Sequence, residues 1–191
     1  MGNGMNWFHR QVCGSRRWRR RLERELLGWA LQGVQLGNDV LEIGPGPGVT
    51  TDLLRGRTGR LTALEVDAGA AAALEKRLSG SGVRVVRGDG AAMPFAGGSF
   101  SGVVAFTMLH HVPTAALQDE LLAEARRVLR PGGVFAGFDG VGSFLFRLVH
   151  LGDTYTPVNP DTFGRRLRAA GFADVAVERG RGRFRFRATR S

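Results

Sequence analysis

The sequence predicts a three-layer αβα domain: α/β class, with a seven-stranded, mostly parallel sheet whose last strand runs antiparallel. Three observations carry that prediction. Short apolar runs alternate with helical patterns along most of the chain, the rhythm of a parallel sheet covered on both faces. One run, residues 102–108, is apolar almost throughout, as a central parallel strand is. The last two runs are joined by a tight turn over residues 180–182, which suits a hairpin better than another crossover.

The elements follow in order. Ser15 caps a first helix in which Trp18, Leu22, Leu26 and Trp29 fall at helical spacing. Residues 39–43 form the first strand and 50–57 the helix after it. Residues 60–66 are the second strand, and 70–78, rich in strong helix formers, the next helix. The third and fourth strands are 83–87 and 102–108. Residues 115–129 make a long amphipathic helix closed by Pro131-Gly132-Gly133, and 134–138 the fifth strand. Residues 144–151 read as a short apolar helix and 152–160 as a loop. A helix over 160–170 opens with Pro160 and stops at Gly171. Residues 173–178 and 183–189 are the closing strands.

At 191 residues the chain suits one domain with a sizeable core. Its 43% apolar and 23% charged content is that of an ordinary folded protein and excludes a disordered chain. No apolar run approaches the ~20 residues that span a bilayer. The opening stretch, MGNGMNWFHRQVCGSRRWRR, lacks the continuous apolar segment of a secretory signal. A cytoplasmic location without membrane insertion is therefore expected. Cys13 is the single cysteine, so there is no internal disulfide, and no metal site is expected.

The net charge of +10 is nearly all arginine, because Lys76 is the only lysine. Such skew follows from a GC-rich coding sequence as readily as from an anionic partner. Two clusters stand out, Arg16-Arg17-Trp18-Arg19-Arg20-Arg21 and residues 179–190. In the second, arginine alternates with Phe184, Phe186 and Ala188, a period of two that gives one apolar and one solvated face. Solvated faces are the expectation for both clusters, with nucleic-acid contact the alternative.

The decisive stretch is VLEIGPGPGVTTDLL, residues 40–54. Gly44, Gly46 and Gly48 alternate with Pro45 and Pro47, and position 49 is valine. A dinucleotide-binding turn reads G-x-G-x-x-G instead, and a phosphate loop needs Gly-Lys-Ser/Thr, which is missing. Glu42, two residues before the first glycine, would repel a pyrophosphate held in the loop and favour a cationic group.

Further signals follow in order: LTALEVD ending in Glu65-Val66-Asp67, then Gly88-Asp89-Gly90-Ala91-Ala92-Met93-Pro94-Phe95, then FSGVVAFTMLHHV at 100–112. EARRVLRPGGVF at 124–135 and AGF at 170–172 complete the set. Over residues 38–190 these resemble the class I S-adenosylmethionine-dependent methyltransferases, a Rossmann-like family, and within it the type 11-like small-molecule subgroup. The resemblance implies S-adenosylmethionine as cofactor, with S-adenosylhomocysteine as product. It implies that Glu42, Gly44, Pro45, Gly46 and Gly48 hold the methionine end, helped by the helix N-terminus beyond Gly48. Glu65 would take the ribose hydroxyls, with Val66 beside it and Asp67 the runner-up. Asp89, next to Gly90, would accept from the adenine amino group, and Thr107 would line the methionine pocket. The aspartate that the family carries in its fourth strand is Ser101 here, a departure expected to weaken a structural contact rather than catalysis.

Under the same resemblance the single domain divides into an N-terminal helical arm over the active site (1–37), a cofactor-binding core (38–140), and a lid segment with the C-terminal helix and hairpin (141–191). His111 matches the family's histidine after strand four; it and His110 are the candidate bases. His9, Asp139 and Tyr155 are candidate acceptor contacts, with Trp7 and His150 in the same segments. Apolar residues at 144–149 suit a small, partly apolar acceptor offering an O, N or C nucleophile. The alternatives are an RNA or protein methyltransferase using the arginine-rich surface, and a non-catalytic cofactor-binding protein. The N-P-P-Y-type tetrapeptide of base-amino methyltransferases is absent, the chain reading Phe106-Thr107-Met108-Leu109.

Overall fold

The computed structural model describes residues 15–142 and 154–191. An N-terminal helix runs through α1 (Arg16–Arg21), a π-helical turn (Leu22–Leu26) and α2 (Leu27–Ala30). Then come β1 (Asp39–Ile43), α3 (Val49–Leu54), β2 (Arg60–Glu65), α4 (Ala68–Leu78), β3 (Arg84–Arg87) and β4 (Phe100–Phe106). A 3-10 turn (Leu109–His111) leads to α5 (Ala115–Val128) and β5 (Leu129–Gly140). The chain closes with α6 (Pro160–Ala169), β6 (Ala173–Gly180) and β7 (Arg183–Thr189). The expected helix at 144–151 and the start of the loop after it lie outside the described residues.

The seven strands form one sheet in the order β3-β2-β1-β4-β5-β7-β6. Pairing is parallel from β3 to β5, while β7 runs antiparallel to both β5 and β6. The predicted architecture is therefore the observed one. Strand alternation sorts the core into two layers. Leu41, Ile43, Val103 and Phe135 pack under α5 and α6 with Leu121, Leu122, Phe163 and Leu167. Val40, Val104, Phe106 and Phe138 pack on the other face under Leu22, Leu26 and Leu27 of the N-terminal helix.

The local signals explain the boundaries. Ser15 Oγ accepts from Trp18 N at 3.1 Å, and Thr114 Oγ1 from Leu117 N at 3.1 Å, so both helices begin where a cap is available. Asp67 caps α4 through Ala70 N at 2.7 Å, which starts that helix two residues earlier than expected. The largest boundary difference is at β5. The expected break at Pro131-Gly132-Gly133 is a bulge within the strand: Phe100 pairs with Leu129 and Gly102 with Val134, so the extra residues loop out while pairing continues. α5 accordingly stops at Val128.

Two expectations about polar groups change. Ser101 carries a contact of its own: its hydroxyl accepts from Asp39 N at 2.9 Å and donates towards Leu36 O and Asp39 O at 2.9 and 3.0 Å. Ser101→Ala leaves these backbone groups short of a partner, and is expected to lower stability by about 1–2 kcal/mol. In a thermal scan this appears as a Tm lower by roughly 2–8 °C; an unchanged Tm would show water replacing the hydroxyl.

The second correction concerns β7. Phe184 and Phe186 are buried as the alternation requires, but the arginine face is only partly solvated. The N-terminal helix covers it: the Arg185 guanidinium lies 5.4 Å over the Trp29 ring and donates to Trp29 O.

Candidate cofactor and acceptor site

The carboxyl ends of β1, β2, β4 and β5 converge at one edge of the sheet, where open parallel sheets bind their ligands. The turn after β1 is built from left-handed glycines, Gly44, Gly46 and Gly48, with φ of 64°, 52° and 77°. A Cβ at Gly44 would stand 2.9 Å from Met108 Cβ, and one at Gly48 would stand 2.3 Å from Leu74 Cδ1. The glycines are thus fixed by backbone conformation and by close approach.

Two carboxylates brace this turn. Glu65, at the end of β2, is buried and accepts from Gly46 N at 3.0 Å and from Asp67 N at 3.0 Å. Glu42 lies beneath the turn, 1% exposed, accepting from the hydroxyls of Thr50 and, at 2.6 Å, Thr51. Burial is the main cause that pushes its carboxyl up to about 7; the two threonine hydroxyls oppose it, and Asp52 and Glu65 add to it. The sequence reading missed Arg77, which donates to Pro47 O and Gly48 O at 3.1 Å each and to Asp52 at 3.0 Å, clamping the turn to α4. A basic residue in the last turn of a helix is common, so nothing local marks it out.

Beside Glu65, Val66 is 62% exposed, the one exposed large apolar side chain among the described residues. Asp89 is exposed beyond β3, its Oδ1 accepting from Ala91 N at 2.9 Å in an Asx turn that also positions Gly90. A cleft opens over the glycine turn, lined by Trp18 and Leu22 of the N-terminal helix, Gly44 to Pro47, Phe106, Thr107, Met108 and His111. Thr107 has a φ of 50°, and its N–H donates to Phe138 O at 2.9 Å, so the chain turns sharply off β4 into the cleft wall.

The two histidine rings lie 4.2 Å apart, but only His111 lines the cleft, and His110 is 1% exposed. His110 Nδ1 donates to Asp139 Oδ1 at 2.5 Å, and the backbone N–H of His110 donates to Asp139 Oδ2 at 3.2 Å. Asp139, expected as an acceptor contact, is fully buried, and Gly140 N also donates to it at 2.6 Å. Its carboxylate is used up in fixing the end of β4 against β5, so it positions His110. Tyr155 is half-buried, its ring 5.9 Å from that of His110. Gln118 bolts this corner together, donating to Leu109 O at 3.0 Å and Thr156 O at 2.9 Å. His9, Trp7 and His150 lie outside the described residues.

A second, wider cleft opens at the amino ends of β1 and β2, lined by Asp39, Arg60, Arg84, Phe95 and Phe100. Asp39 there is engaged by Arg60 and, at 2.9 Å, by Arg130. It sits at the opposite end of the strands from the glycine turn. Among the described residues no three His, Cys, Asp or Glu side chains group as a metal site, and no helix is long and apolar enough to cross a membrane.

The doubly wound sheet with its antiparallel seventh strand, and a braced glycine turn at the β1 tip, define a Rossmann-like methyltransferase domain. The methyltransferase-domain family model matches residues 41–137. A probable S-adenosylmethionine-dependent methyltransferase of Mycolicibacterium smegmatis is 32% identical over 139 residues, 73% of this chain and 50% of that protein. The chain belongs to the S-adenosylmethionine-dependent methyltransferase family. It spans about half the length of that curated relative. Among solved structures, the PH0226 protein of Pyrococcus horikoshii OT3 superposes with a TM-score of 0.80 at 15% identity, covering 94% of each chain. Phosphoethanolamine N-methyltransferase 2 of Haemonchus contortus, solved with S-adenosyl-L-methionine, gives 0.68 at 21% identity over 84% of this chain and 38% of that one.

Proposed function

We propose that this chain transfers a methyl group from S-adenosylmethionine to a small-molecule acceptor by in-line displacement. One observation carries the cofactor choice: the Gly46 N–H, which a dinucleotide turn would offer to pyrophosphate, is already taken by the Glu65 carboxylate. Glu42 lies buried beneath the same turn, held by the Thr50 and Thr51 hydroxyls. A turn whose amide is engaged by the Glu65 carboxylate suits hydroxyls and cations and disfavours phosphate.

The residues present fit the cofactor along its length. Glu65 and Asp89 supply carboxylate acceptors for the ribose hydroxyls and the adenine amino group, and Val66 an apolar surface for the ring. Gly44, Pro45 and Gly46 let the methionine end approach the backbone, with Thr107 on the far wall. When bound, the cofactor supplies a sulfonium methyl open to displacement. The chain's part is to align the acceptor and keep water out. Trp18 and Leu22 roof the cleft, and His111 is placed to take a proton from an acceptor hydroxyl. Asp139 holds His110 behind it.

Calorimetric titration with S-adenosylmethionine, S-adenosylhomocysteine and NADH is the test, followed by a panel of hydroxyl, amine and carbon acceptors scored by S-adenosylhomocysteine release. Micromolar binding of the two adenosyl ligands and none of NADH is expected. Binding of NADH alone, or of none, overturns the reading. A second reading, an RNA acceptor, draws on Arg16, Arg17, Arg20 and Arg24, all exposed on the helix that roofs the cleft. Affinity for RNA that collapses with added salt would favour it.

A further inference from the structure

The sheet edge beyond β5 carries a guanidinium that the cofactor reading does not use. Arg183 opens β7 and pairs with Gly140, the last residue of β5, while Val141 N donates to Gly182 O at 3.1 Å. It therefore stands at the carboxyl tip of the sheet, two strands from β4. At the usual inter-strand spacing that is about 10 Å. Alternation along β7 sends Phe184 and Phe186 into the α5 and α6 layer. Arg183 falls on the opposite face, the one covered by the N-terminal helix that also gives Trp18 and Leu22 to the cleft.

Three neighbouring arginines have partners. Arg179 pairs with Asp161 at 2.6 Å, Arg185 with Glu178 at 2.6 Å, and Arg190 donates to Arg127 O at 2.9 Å. Arg183 is half-buried, yet no carboxylate or carbonyl lies within hydrogen-bond reach of it among the described residues. The charged groups facing it are Arg21 and Glu25 of the N-terminal helix. Burial first, and Arg21 second, hold its guanidinium below the ordinary arginine range, with Glu25 opposing. Glu25 also lies 3.8 Å from Arg21, so it answers two cations at once. A desolvated guanidinium beside a second one, without an acceptor, is the arrangement an anion completes, and its planar fork matches carboxylate or phosphate.

We propose that Arg183, with Arg21 beside it, receives an anionic group of the methyl acceptor, a carboxylate or a phosphate, while the acceptor's reacting atom lies over the end of β4 near His111. This rests on the cofactor reading above, and it narrows the acceptor to molecules carrying a negative charge about two strand widths from the methylated atom.

The test uses protein saturated with S-adenosylhomocysteine and three ring probes: phenyl phosphate, benzoate and neutral benzyl alcohol. Saturable binding of at least one anion, in preference to the alcohol, is expected, and whichever anion binds tighter identifies the group. Arg183→Gln is expected to weaken that binding about tenfold. Arg187→Gln, on the same strand face but exposed, serves as the control and is expected to leave it unchanged. Because Arg183 faces the like charge of Arg21 as well as Glu25, and makes no hydrogen bond among the described residues, Arg183→Gln should leave the unliganded Tm unchanged or raise it. Anions binding no better than the alcohol, equal affinity in Arg183→Gln, or a Tm lower by several degrees would each overturn the inference. S-adenosylhomocysteine is titrated separately into every variant. Its failure to bind the unaltered protein overturns the cofactor reading itself.

Discussion

Glu65→Ala is expected to weaken S-adenosylhomocysteine binding by about 100-fold or more, roughly 3 kcal/mol from two charge-assisted hydrogen bonds to the ribose. The side chain is buried at the tip of β2 and already oriented by Gly46 N and Asp67 N. On the proposed cofactor placement, its removal would strip the ribose of its acceptor and release the glycine turn that should meet the methionine end. Glu65→Gln separates these effects, because the amide keeps one acceptor oxygen while losing the charge; an intermediate affinity is expected. Calorimetry on folded variants is the readout. An affinity within threefold of the unaltered protein would remove Glu65 from the site.

The second large effect is on stability and runs through Glu42. Its carboxyl is raised by burial from 4.5 to about 7, so between those values the folded chain holds a proton that the unfolded chain has lost. Fewer protons on the unfolded state means that stability falls as pH rises through this window and levels off above it. The full difference is roughly 3 kcal/mol. Urea titrations between pH 5 and 8.5 should show this decline. In Glu42→Gln, which is neutral throughout and can still bond Thr50 and Thr51, that part of the decline should vanish, leaving the variant the more stable form at pH 8. An identical pH slope in the two proteins would show that Glu42 stays ionised. A cationic ligand end above the turn would favour the ionised form, so S-adenosylmethionine binding near neutral pH should release protons.

The fold was legible because its signals are local and redundant. Glycine turns, helix caps and a switch from period 3.6 to period 2 each mark an element without help from distant residues. The β1 and β7 boundaries follow from them directly. The bulge at Gly132 and Gly133 was not legible, since a Pro-Gly-Gly sequence reads equally as a stop; what keeps the strand going is pairing with β4 and Gly132 N donating to Arg190 O at 2.7 Å. At the site, Glu42, Glu65 and the glycines were legible through the motifs that carry the family resemblance. The parts that stayed hidden depend on partners far apart in sequence. Nothing near Asp139 announces that His110, 29 residues away, would consume its carboxylate. Nor does anything near Arg77 say that it closes on Pro47 and Gly48, and the alternation of 183–189 could not show that a helix from the other end of the chain covers its arginine face.

The strand order has a consequence during synthesis. β7 lies between β5 and β6, so until residues 183–189 have left the ribosome the outer edge of β5 has no partner and the apolar layer under α6 lacks Phe184 and Phe186. At roughly 5–20 residues per second, the nascent chain spends several seconds after β5 is made with that edge open. An unpaired strand edge is a template for pairing with other chains. The arginines that flank each phenylalanine of this last strand are then gatekeepers of the unfinished protein, keeping RFRFRAT soluble until it has an edge to join.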